Sequence, residues 1–209
     1  MIGIMADSHG KSETILDALD AFKGLNCRRI YHLGDVCDST RPETAEACLG
    51  PLRRQRVITI KGNNDHAIVA NHVGRTDTPL SPEILEYIQN LPLVQSYHEA
   101  IFTHSLPFAD SLGLACMIGT MSEKEAHRSF MEFPQHVIFR GHSHMPEIMR
   151  PRGRRVESRT PPVGVKIYLN GRLPCVVTCG ALTRGLYMIW NPEENYIESL
   201  SLNDNPDYF

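Results

Sequence analysis

Seven residues along the chain have side chains of the types that bind divalent metal ions. They are Asp7, His9, Asp35, Asn63, His104, His142 and His144. Carboxylate and imidazole groups suit manganese, iron, zinc and nickel, and a neutral asparagine can add its carbonyl oxygen. Seven ligands are too many for one ion and suit two ions that share a carboxylate. Two metals roughly 3.5–4 Å apart clamp a phosphate and lower the pKa of bound water. We therefore predict a dinuclear centre that acts on phosphate esters.

The places where these residues occur strengthen the prediction. A pair such as His142 and His144 is often structurally incidental when taken alone. Here all seven residues follow apolar segments that are typical of buried strands, at 2–6, 29–33, 56–61, 100–103 and 136–139. Helices predicted at 12–22 and 40–50 separate the first three strands, which indicates a layered α/β protein with parallel strands. Ligands bind beyond the carboxyl ends of such strands, so we expect one shared site there.

The second half of the chain favours antiparallel sheet. Helices are predicted at 81–90 and 122–130, each beginning at a serine of a helix-capping type. The Thr40–Glu43 pair has the same capping pattern at the start of the second helix. Further strands are predicted at 165–169, 175–178, 185–190 and 196–202. Between the first two of these, Asn170-Gly171 predicts a hairpin turn.

Three segments have a weaker pattern. Residues 66–80 lack periodicity and are predicted to form a loop, and residues 105–121 have no clear assignment. Within the latter, 112–121 is open to three interpretations: a lid, a dimer contact or core. Residues 150–159 contain five arginines and are predicted to form a mobile, solvated loop. The alternative is that Arg150, Arg152, Arg154 or Arg155 contacts a phosphorylated substrate, because arginine binds phosphate with two parallel hydrogen bonds.

Composition and charge favour a globular protein and give no sign of membrane or nucleic-acid binding. The 209 residues are 42% hydrophobic and 22% charged, enough for one domain with a layered core. The formal net charge of -3 provides no broad attraction for nucleic acids. No apolar run has the length of a membrane span, and Met1 leads directly into the first strand, so we expect a cytoplasmic location. In that compartment the six cysteines are expected to be reduced.

Five short motifs resemble those of a known family, the calcineurin-like metallophosphoesterases, and follow that family's order. They are Asp7-Ser8-His9, Gly34-Asp35, Gly62-Asn63-Asn64-Asp65, His104 and Gly141-His142-Ser143-His144. Together they span residues 1 to about 150. The resemblance implies an α/β fold of the αββα sandwich type, with two mixed sheets face to face between helices. It also implies a single domain over residues 1–209 and membership of the compact prokaryotic phosphodiesterase branch.

The resemblance implies a role for each candidate ligand. Asp7, His9 and His144 would bind one metal ion. Asn63, His104 and His142 would bind the other. Asp35 would bridge both ions, beside a bridging hydroxide that attacks phosphorus. Manganese is the expected metal, with iron, zinc and nickel as alternatives.

The residues around these ligands include one departure from the family's pattern. Many members have histidine directly after the metal-binding asparagine, where it contacts phosphate and assists the leaving group, whereas this chain has Asn64. An asparagine amide can donate a hydrogen bond to a phosphoryl oxygen but cannot deliver a proton. Asn64 is therefore a candidate phosphate contact, and His66 is the candidate acid. Asp65 is expected to orient its neighbours, and His32 is expected to be a strand residue rather than a ligand.

Together these features predict a phosphodiesterase that acts on a small phosphorylated molecule, such as a nucleotide. The alternative enzyme is a phosphomonoesterase for nucleotides or phosphoproteins. The rival from another class is a protein-binding scaffold, because the same fold serves in the retromer coat with a decayed site. All seven ligand positions here hold metal-binding residue types, which disfavours the scaffold. The sequence leaves open whether the chain forms a homo-oligomer.

Overall fold

Two six-stranded mixed sheets pack face to face in the computed structural model, which describes residues 1–202. Sheet A has the strand order β3 (Ile58–Thr59), β2 (Arg29–His32), β1 (Ile2–Met5), β11 (Leu186–Asn191), β12 (Tyr196–Ser201) and β9 (Lys166–Tyr168). Sheet B has the order β4 (Val94–Tyr97), β5 (Ala100–Thr103), β6 (Val137–Arg140), β10 (Cys175–Thr178), β7 (Glu147–Arg152) and β8 (Arg155–Arg159).

Helices cover the outer face of each sheet. They are α1 (Ser12–Gly24), α2 (Ala45–Arg54), α3 (Asn63–His72), α4 (Pro82–Gln89), α5 (Ala109–Leu112) and α6 (Glu123–Glu132), with 3₁₀ turns at Pro42–Thr44, Gly113–Met117 and Leu182–Arg184. Apolar residues of α1, α2 and α4 pack with the outer face of sheet A. Those of α6 and of the second 3₁₀ turn pack with sheet B. The layers are helix, sheet, sheet and helix, so the αββα sandwich is confirmed.

Aromatic rings join the two sheets. Phe102 of sheet B stacks on Tyr31 of sheet A with ring centroids 3.7 Å apart and an interplanar angle of 4°. Phe139 and Trp190 contact the Phe102 ring at centroid distances of 5.4 and 6.3 Å. All four side chains are buried. This apolar layer lies directly behind the strand ends at which the candidate ligands are found.

The central strands are parallel, as predicted, and their carboxyl ends lie at one edge of the sandwich. In sheet A, β1 pairs in parallel with β2, and β2 with β3. In sheet B, β6 pairs in parallel with β5 and with β10. The polar motifs follow β1, β2, β3, β5 and β6, and this register brings them to the same edge.

The prediction of a loop at 66–80 is wrong for the first half of that segment, because α3 extends to His72. This helix lacks the apolar stripe that would identify it in a sequence, and only Asp65 and Ile68 are buried. Its first turn is stabilised by polar contacts instead. The Asp65 carboxylate accepts hydrogen bonds from the backbone N–H groups of Gly62 and Cys37 at 2.9 and 3.0 Å. The helix therefore depends on tertiary contacts that no local pattern reveals.

The mobile loop predicted at 150–159 is also wrong. These residues belong to the hairpin of β7 and β8, with Arg150 opposite Glu157 and Arg152 opposite Arg155. The hairpin is stabilised from one side, where Met149 and Val156 pack against the cluster that contains α6. Four of the five arginines are exposed on this edge hairpin, whereas Arg150 is partly buried.

The Asn170-Gly171 turn does not form the predicted hairpin. The strand before it, β9, pairs with β12 in sheet A, whereas the strand after it, β10, lies in sheet B. The Arg172 N–H donates to the Leu169 carbonyl oxygen at 2.9 Å, and Gly171 has a positive φ of 62°. The turn chemistry was predicted correctly, but the turn carries the chain from one sheet to the other.

The second helix begins and ends later than predicted. The Thr40 hydroxyl donates to Asp38 instead of capping a helix, and α2 starts at Ala45 after a 3₁₀ turn. It continues through Pro51 to Arg54, at the cost of one backbone hydrogen bond. Burial of Leu49 and Leu52 offsets this cost. By contrast, Ser81 and Ser122 cap α4 and α6 as predicted.

Two further expectations concern the whole chain. All six cysteines are unpaired, as predicted. Among residues 1–202, no helix combines the length and apolar character needed to cross a bilayer.

The segment 105–121, which had no assignment from the sequence, has buried and exposed parts. Cys116 and Met117 are buried against sheet B, whereas Leu112, Leu114 and Ile118 are exposed.

Candidate metal centre

The structure brings the seven predicted ligand residues together in two groups. In the first ligand group (Asp7, His9 and His144), the Nε2 atoms of the two histidines are 3.0 Å apart, and His144 Nε2 is 3.7 Å from Asp7 Oδ1. In the second ligand group (Asn63, His104 and His142), Asn63 Oδ1, His104 Nε2 and His142 Nδ1 form a triangle with sides of 3.0 to 3.1 Å. The grouping is the one that the family resemblance implied.

Asp35 lies between the two groups. Its Oδ2 is 3.7 Å from His9 Nε2, and its Oδ1 is 3.6 Å from His104 Nε2. One oxygen therefore faces each group, as a bridging carboxylate requires. Asp7, Asp35 and His104 also bring one ligand atom each within 4.8 Å of one another, so the two groups are contiguous.

The second ligand group fits a metal ion better than it fits a hydrogen-bonded cluster. His104 Nδ1 donates to the Leu33 carbonyl oxygen at 2.7 Å, so in the neutral ring Nε2 carries a lone pair. Burial lowers the pKa of His104 to about 4, which keeps the ring neutral. Nε2 then faces another lone pair on Asn63 Oδ1, with no proton between them. Ligand atoms at right angles around an ion, with bonds of about 2.1 Å, lie about 3.0 Å apart.

Buried negative charge also favours cations at this site. Asp7, Asp35 and Asp65 are all buried. Burial raises the pKa of Asp7 well above its usual value, and repulsion from Asp35 raises it further. The pKa of Asp65 is raised for the same two reasons. Buried charges are costly unless they are paired or coordinate a metal, so divalent cations would stabilise the ionised carboxylates.

Left-handed backbone conformations aim five of the seven side chains at the site. Positive φ values occur at Asp7 (55°), His9 (44°), Asp35 (53°), His142 (69°) and His144 (63°). Such conformations are uncommon for residues with a Cβ atom and cost free energy, and they cluster at functional sites. The strands end in sharp turns here, and each turn directs its side chain away from the sheet and toward the ligand groups.

Glycine at position 62 allows the closest approach between two of these turns. A Cβ atom at that position would collide with the backbone N and the Oδ1 of Asp35. The loop after β3 can therefore pass against Asp35 only because it begins with glycine. This contact is the physical reason for glycine directly before Asn63.

A family model described as the calcineurin-like phosphoesterase superfamily domain matches residues 1–159. The chain belongs to this superfamily. The superfamily consists of metal-dependent phosphoester hydrolases, and the resemblance carried by the five motifs is confirmed. No curated protein matches the chain.

Solved structures show the same fold at low sequence identity. A metallophosphoesterase from Sphaerobacter thermophilus matches with a TM-score of 0.75 and 20% identity, over 97% of this chain and 87% of that one. A hypothetical protein from Pyrococcus horikoshii OT3 matches with a TM-score of 0.64 and 13% identity, over 96% and 88% of the two chains. The matches extend over nearly the whole chain, so the phosphoesterase fold includes the C-terminal strands beyond residue 159.

Asn64 contacts Asp35 rather than open space. Its backbone N–H donates to Asp35 Oδ1 and its side-chain amide donates to Asp35 Oδ2, both at 2.8 Å. The Ser39 hydroxyl donates to Asn64 Oδ1 at 2.8 Å, which fixes the orientation of the amide. Asn64 thus positions the carboxylate between the two ligand groups. A direct contact of Asn64 with phosphate stays a prediction.

The structure gives no comparable support for His66 as an acid. His66 is partly exposed in α3, and no side-chain hydrogen bond within residues 1–202 joins its ring to the seven candidate ligands. Its catalytic role stays a prediction. Asp65, in contrast, holds the backbone of Gly62 and Cys37 as described above, in agreement with the orienting role expected for it.

Two residues near the candidate metal centre had no role in the sequence prediction. Ser39 orients Asn64, and nothing in its local sequence indicates this. Arg140 is buried at the end of β6, and its Nε donates to the Ser105 carbonyl oxygen at 3.0 Å. A charged residue at the end of the apolar run 137–139 was the available signal. Arg140 contributes positive charge that lowers the pKa of Asp7, partly offsetting the effect of burial.

His32 lies directly beneath the site and is a buried strand residue, as predicted. The Ser8 hydroxyl donates to the Val36 carbonyl oxygen, so His32 Nε2 donates to Ser8 Oγ, at 3.0 Å. His32 Nδ1 is buried and has no hydrogen-bond partner within the described residues. Burial, together with repulsion from His104 and His9, lowers the pKa of His32 to about 3. The ring therefore stays neutral in the folded protein.

This neutral His32 should make the protein less stable in acid. The pKa of His32 is 6.5 in the unfolded chain and about 3 in the folded protein, so between these pH values only the unfolded chain binds a proton at His32. The free energy of unfolding therefore decreases as pH falls from 6.5 toward 3. Between pH 7 and pH 5 the loss is about 2 kcal/mol. We expect His32→Gln to remove this component, as measured by urea unfolding of both proteins at the two pH values. A control, His72→Gln at a partly exposed site, should leave the difference intact. An unchanged pH dependence in His32→Gln would contradict the prediction.

Proposed function

We propose that this protein is a phosphodiesterase whose seven candidate ligands hold two divalent metal ions. The observation that supports this most directly is the position of Asp35, with one carboxylate oxygen facing each ligand group. When bound, two divalent ions would neutralise phosphate charge and make an activated water available for attack. Oxygen and imidazole ligands in this mixture suit manganese, which we propose as the first metal to test, with iron, zinc and nickel as alternatives.

The residues of the chain would hold this centre in a form ready to bind metal. Burial lowers the pKa of His104 and of His142 to about 4, so both rings are unprotonated at neutral pH. The Leu33 carbonyl fixes which nitrogen of His104 faces the site. Asn64 holds Asp35 by two hydrogen bonds. Ligands oriented in this way by their neighbours bind metal more tightly than freely rotating ones.

The preference for diesters rests on the resemblance to the compact phosphodiesterase branch and on the residue at position 64. At position 64 an asparagine amide, already engaged with Asp35 and Ser39, stands where many relatives have histidine. Substrates that need strong protonation of the leaving group are therefore disfavoured. We propose that the substrate is a small phosphodiester, such as a diester of a nucleotide. The formal net charge of -3 gives no reason to expect a nucleic-acid polymer.

The test compares a chromogenic diester with its matching monoester. With manganese added, we expect kcat/KM for bis(4-nitrophenyl) phosphate to exceed that for 4-nitrophenyl phosphate by about tenfold or more. Both substrates release 4-nitrophenolate, which leaves without a proton, so this ratio reports the preference for diesters and not a difference between leaving groups. Turnover should disappear on chelation and return when metal is restored.

The other outcomes separate the rival functions. A tenfold preference for the monoester would favour a phosphomonoesterase. Failure of the dialysed and reloaded protein to bind divalent metal would favour a scaffold of the same fold. Bound metal without turnover of either ester would leave the centre in place and contradict the broad diesterase proposed here.

A further inference from the structure

Three arginines line one cavity at the outer edge of sheet B. Arg150 of β7, Arg159 of β8 and Arg172 of the turn after β9 surround a space of about 410 Å³, together with Glu157. Ile148 and Leu173 form part of its wall. The volume is in the range of sites for small molecules. None of the seven candidate metal ligands lines this cavity.

Arg150 has hydrogen-bond donors that the protein leaves unused. Its Nε and Nη2 atoms are buried and have no hydrogen-bond partner within residues 1–202. No ion pair within that part of the chain involves Arg150, Arg159 or Arg172 either. Buried donors without partners are costly and rare in folded proteins. An acceptor from outside the chain would satisfy them.

The three guanidinium groups also repel one another. Burial lowers the pKa of Arg150, the neighbouring Cys175 thiol acts in the opposite direction, and the charges of Arg159 and Arg172 lower the pKa further. The Arg150 side chain is on the same face of β7 as Ile148, two residues earlier, and Ile148 belongs to the core between the sheets. Arg150 therefore enters the gap between the two sheets, where water screens its charge less than at the surface. A bound anion would relieve this repulsion.

The cavity is separate from the candidate metal centre, because it lies at β7 and β8, beyond β10 from the β6 strand that leads to His142 and His144. Arg140, at the carboxyl end of β6, pairs with Thr178, which pairs with Glu147 at the start of β7. From there β7 runs antiparallel to β10, so Arg150 lies three residues, or about 10 Å, further from the metal edge. The cavity is thus a separate feature and not an extension of the proposed active site.

We propose that this cavity binds the phosphate group of a small phosphomonoester. Three arginines and one glutamate give a net charge of +2 at the cavity. A phosphomonoester carries about −1.5 to −2 charges at neutral pH and matches this value better than a diester or a single carboxylate. Guanidinium groups bind phosphate through paired, charge-assisted hydrogen bonds. The apolar wall of Ile148 and Leu173 would contact the organic part of the ligand.

Calorimetric titration tests this site. The protein is first treated with a chelator, so that phosphate cannot bind through metal ions at the candidate metal centre. The probes are inorganic phosphate, adenosine 5′-monophosphate and citrate, at physiological ionic strength. We expect both phosphate probes to bind, with the nucleotide tighter than inorganic phosphate if the apolar wall contributes. Arg172→Gln and Arg150→Gln should each weaken binding by about tenfold or more.

The control is Arg155→Gln, an exposed arginine on the same hairpin that does not line the cavity. It should change the dissociation constant by less than about twofold. Arg172 is itself exposed, so its substitution tests the site without disturbing the core. The proposal is overturned if neither phosphate probe binds, if citrate alone binds, or if Arg155→Gln weakens binding as much as Arg172→Gln. Metal-dependent diester turnover of Arg172→Gln should equal that of the unaltered protein, so this result is independent of the proposed function.

Discussion

Replacing Asp35 with asparagine is expected to lower kcat/KM for diester hydrolysis by about 10³-fold or more. Asp35 is the one candidate ligand with an oxygen facing each group, 3.7 Å from His9 Nε2 and 3.6 Å from His104 Nε2. An asparagine has one oxygen, carries no charge, and would place an amide NH₂ toward one of the groups. The site would then lose both a bridging ligand and one negative charge. A 10³-fold loss corresponds to about 4 kcal/mol of transition-state stabilisation.

Two measurements separate this effect from simple misfolding. Steady-state kinetics gives the loss of activity, and elemental analysis of the reloaded protein should show fewer than two metal ions per chain. Circular dichroism checks that the fold is retained. The matched control is Asp38→Asn, because Asp38 lies three residues away and accepts hydrogen bonds from Thr40 and Arg41 outside the ligand groups. It should keep activity within about twofold. Full turnover by Asp35→Asn with two bound metals would refute the bridging role.

The placement of the site was predictable because its signals are local. Each motif combines a short apolar strand with a turn that contains metal-binding side chains, and parallel pairing of β1, β2 and β3 requires their carboxyl ends to coincide. Partition of the ligands into two groups needed the family resemblance, because sequence spacing does not show which turns meet. The left-handed conformations of Asp7 and His142 were equally invisible in the sequence.

Features that depend on tertiary contacts were predicted wrongly or missed. Helix α3 has no apolar stripe and is stabilised by Asp65, so its periodicity resembled that of a loop. The hairpin of β7 and β8 was obscured by its arginines, whose side chains are mostly exposed while Met149 and Val156 pack against the cluster that contains α6. The Asn170-Gly171 turn predicted a local reversal, and the choice between sheet A and sheet B for the next strand is made by pairing with β6, far away in sequence.

These errors share a physical cause. Local patterns report which residues favour a strand, a helix or a turn, whereas partner strands and polar contacts are chosen by the whole fold. The same distinction applies to Asn64. Its sequence position suggested a contact with substrate, which stays a prediction, and it did not reveal that the amide lies between Ser39 and Asp35. Whether a polar side chain faces the ligand or supports another side chain depends on the three-dimensional arrangement around it.

Phe102→Ala is expected to cause the largest loss of stability among single substitutions in the core between the sheets. Phe102 is 0% exposed, and its ring contacts those of Tyr31, Phe139 and Trp190, so it joins sheet A to sheet B. Truncating a buried phenylalanine to alanine removes apolar contacts and leaves a cavity, at a cost of about 3–5 kcal/mol. The stacked Tyr31 ring cannot fill this space without leaving its own position in β2.

Urea unfolding monitored by circular dichroism measures this loss. Met131→Ala is the control, because Met131 is 81% exposed and its substitution should change stability by less than about 0.5 kcal/mol.

The position of Phe102 also predicts a consequence for the metal centre. Phe102 lies in β5, two residues before His104. We therefore expect Phe102→Ala to weaken metal binding at the second ligand group more than at the first. A loss of stability below about 1 kcal/mol would contradict the prediction, because it would mean that the packing of the two sheets does not depend on the Phe102 ring. The aromatic layer would then contribute less to holding the two ligand groups together.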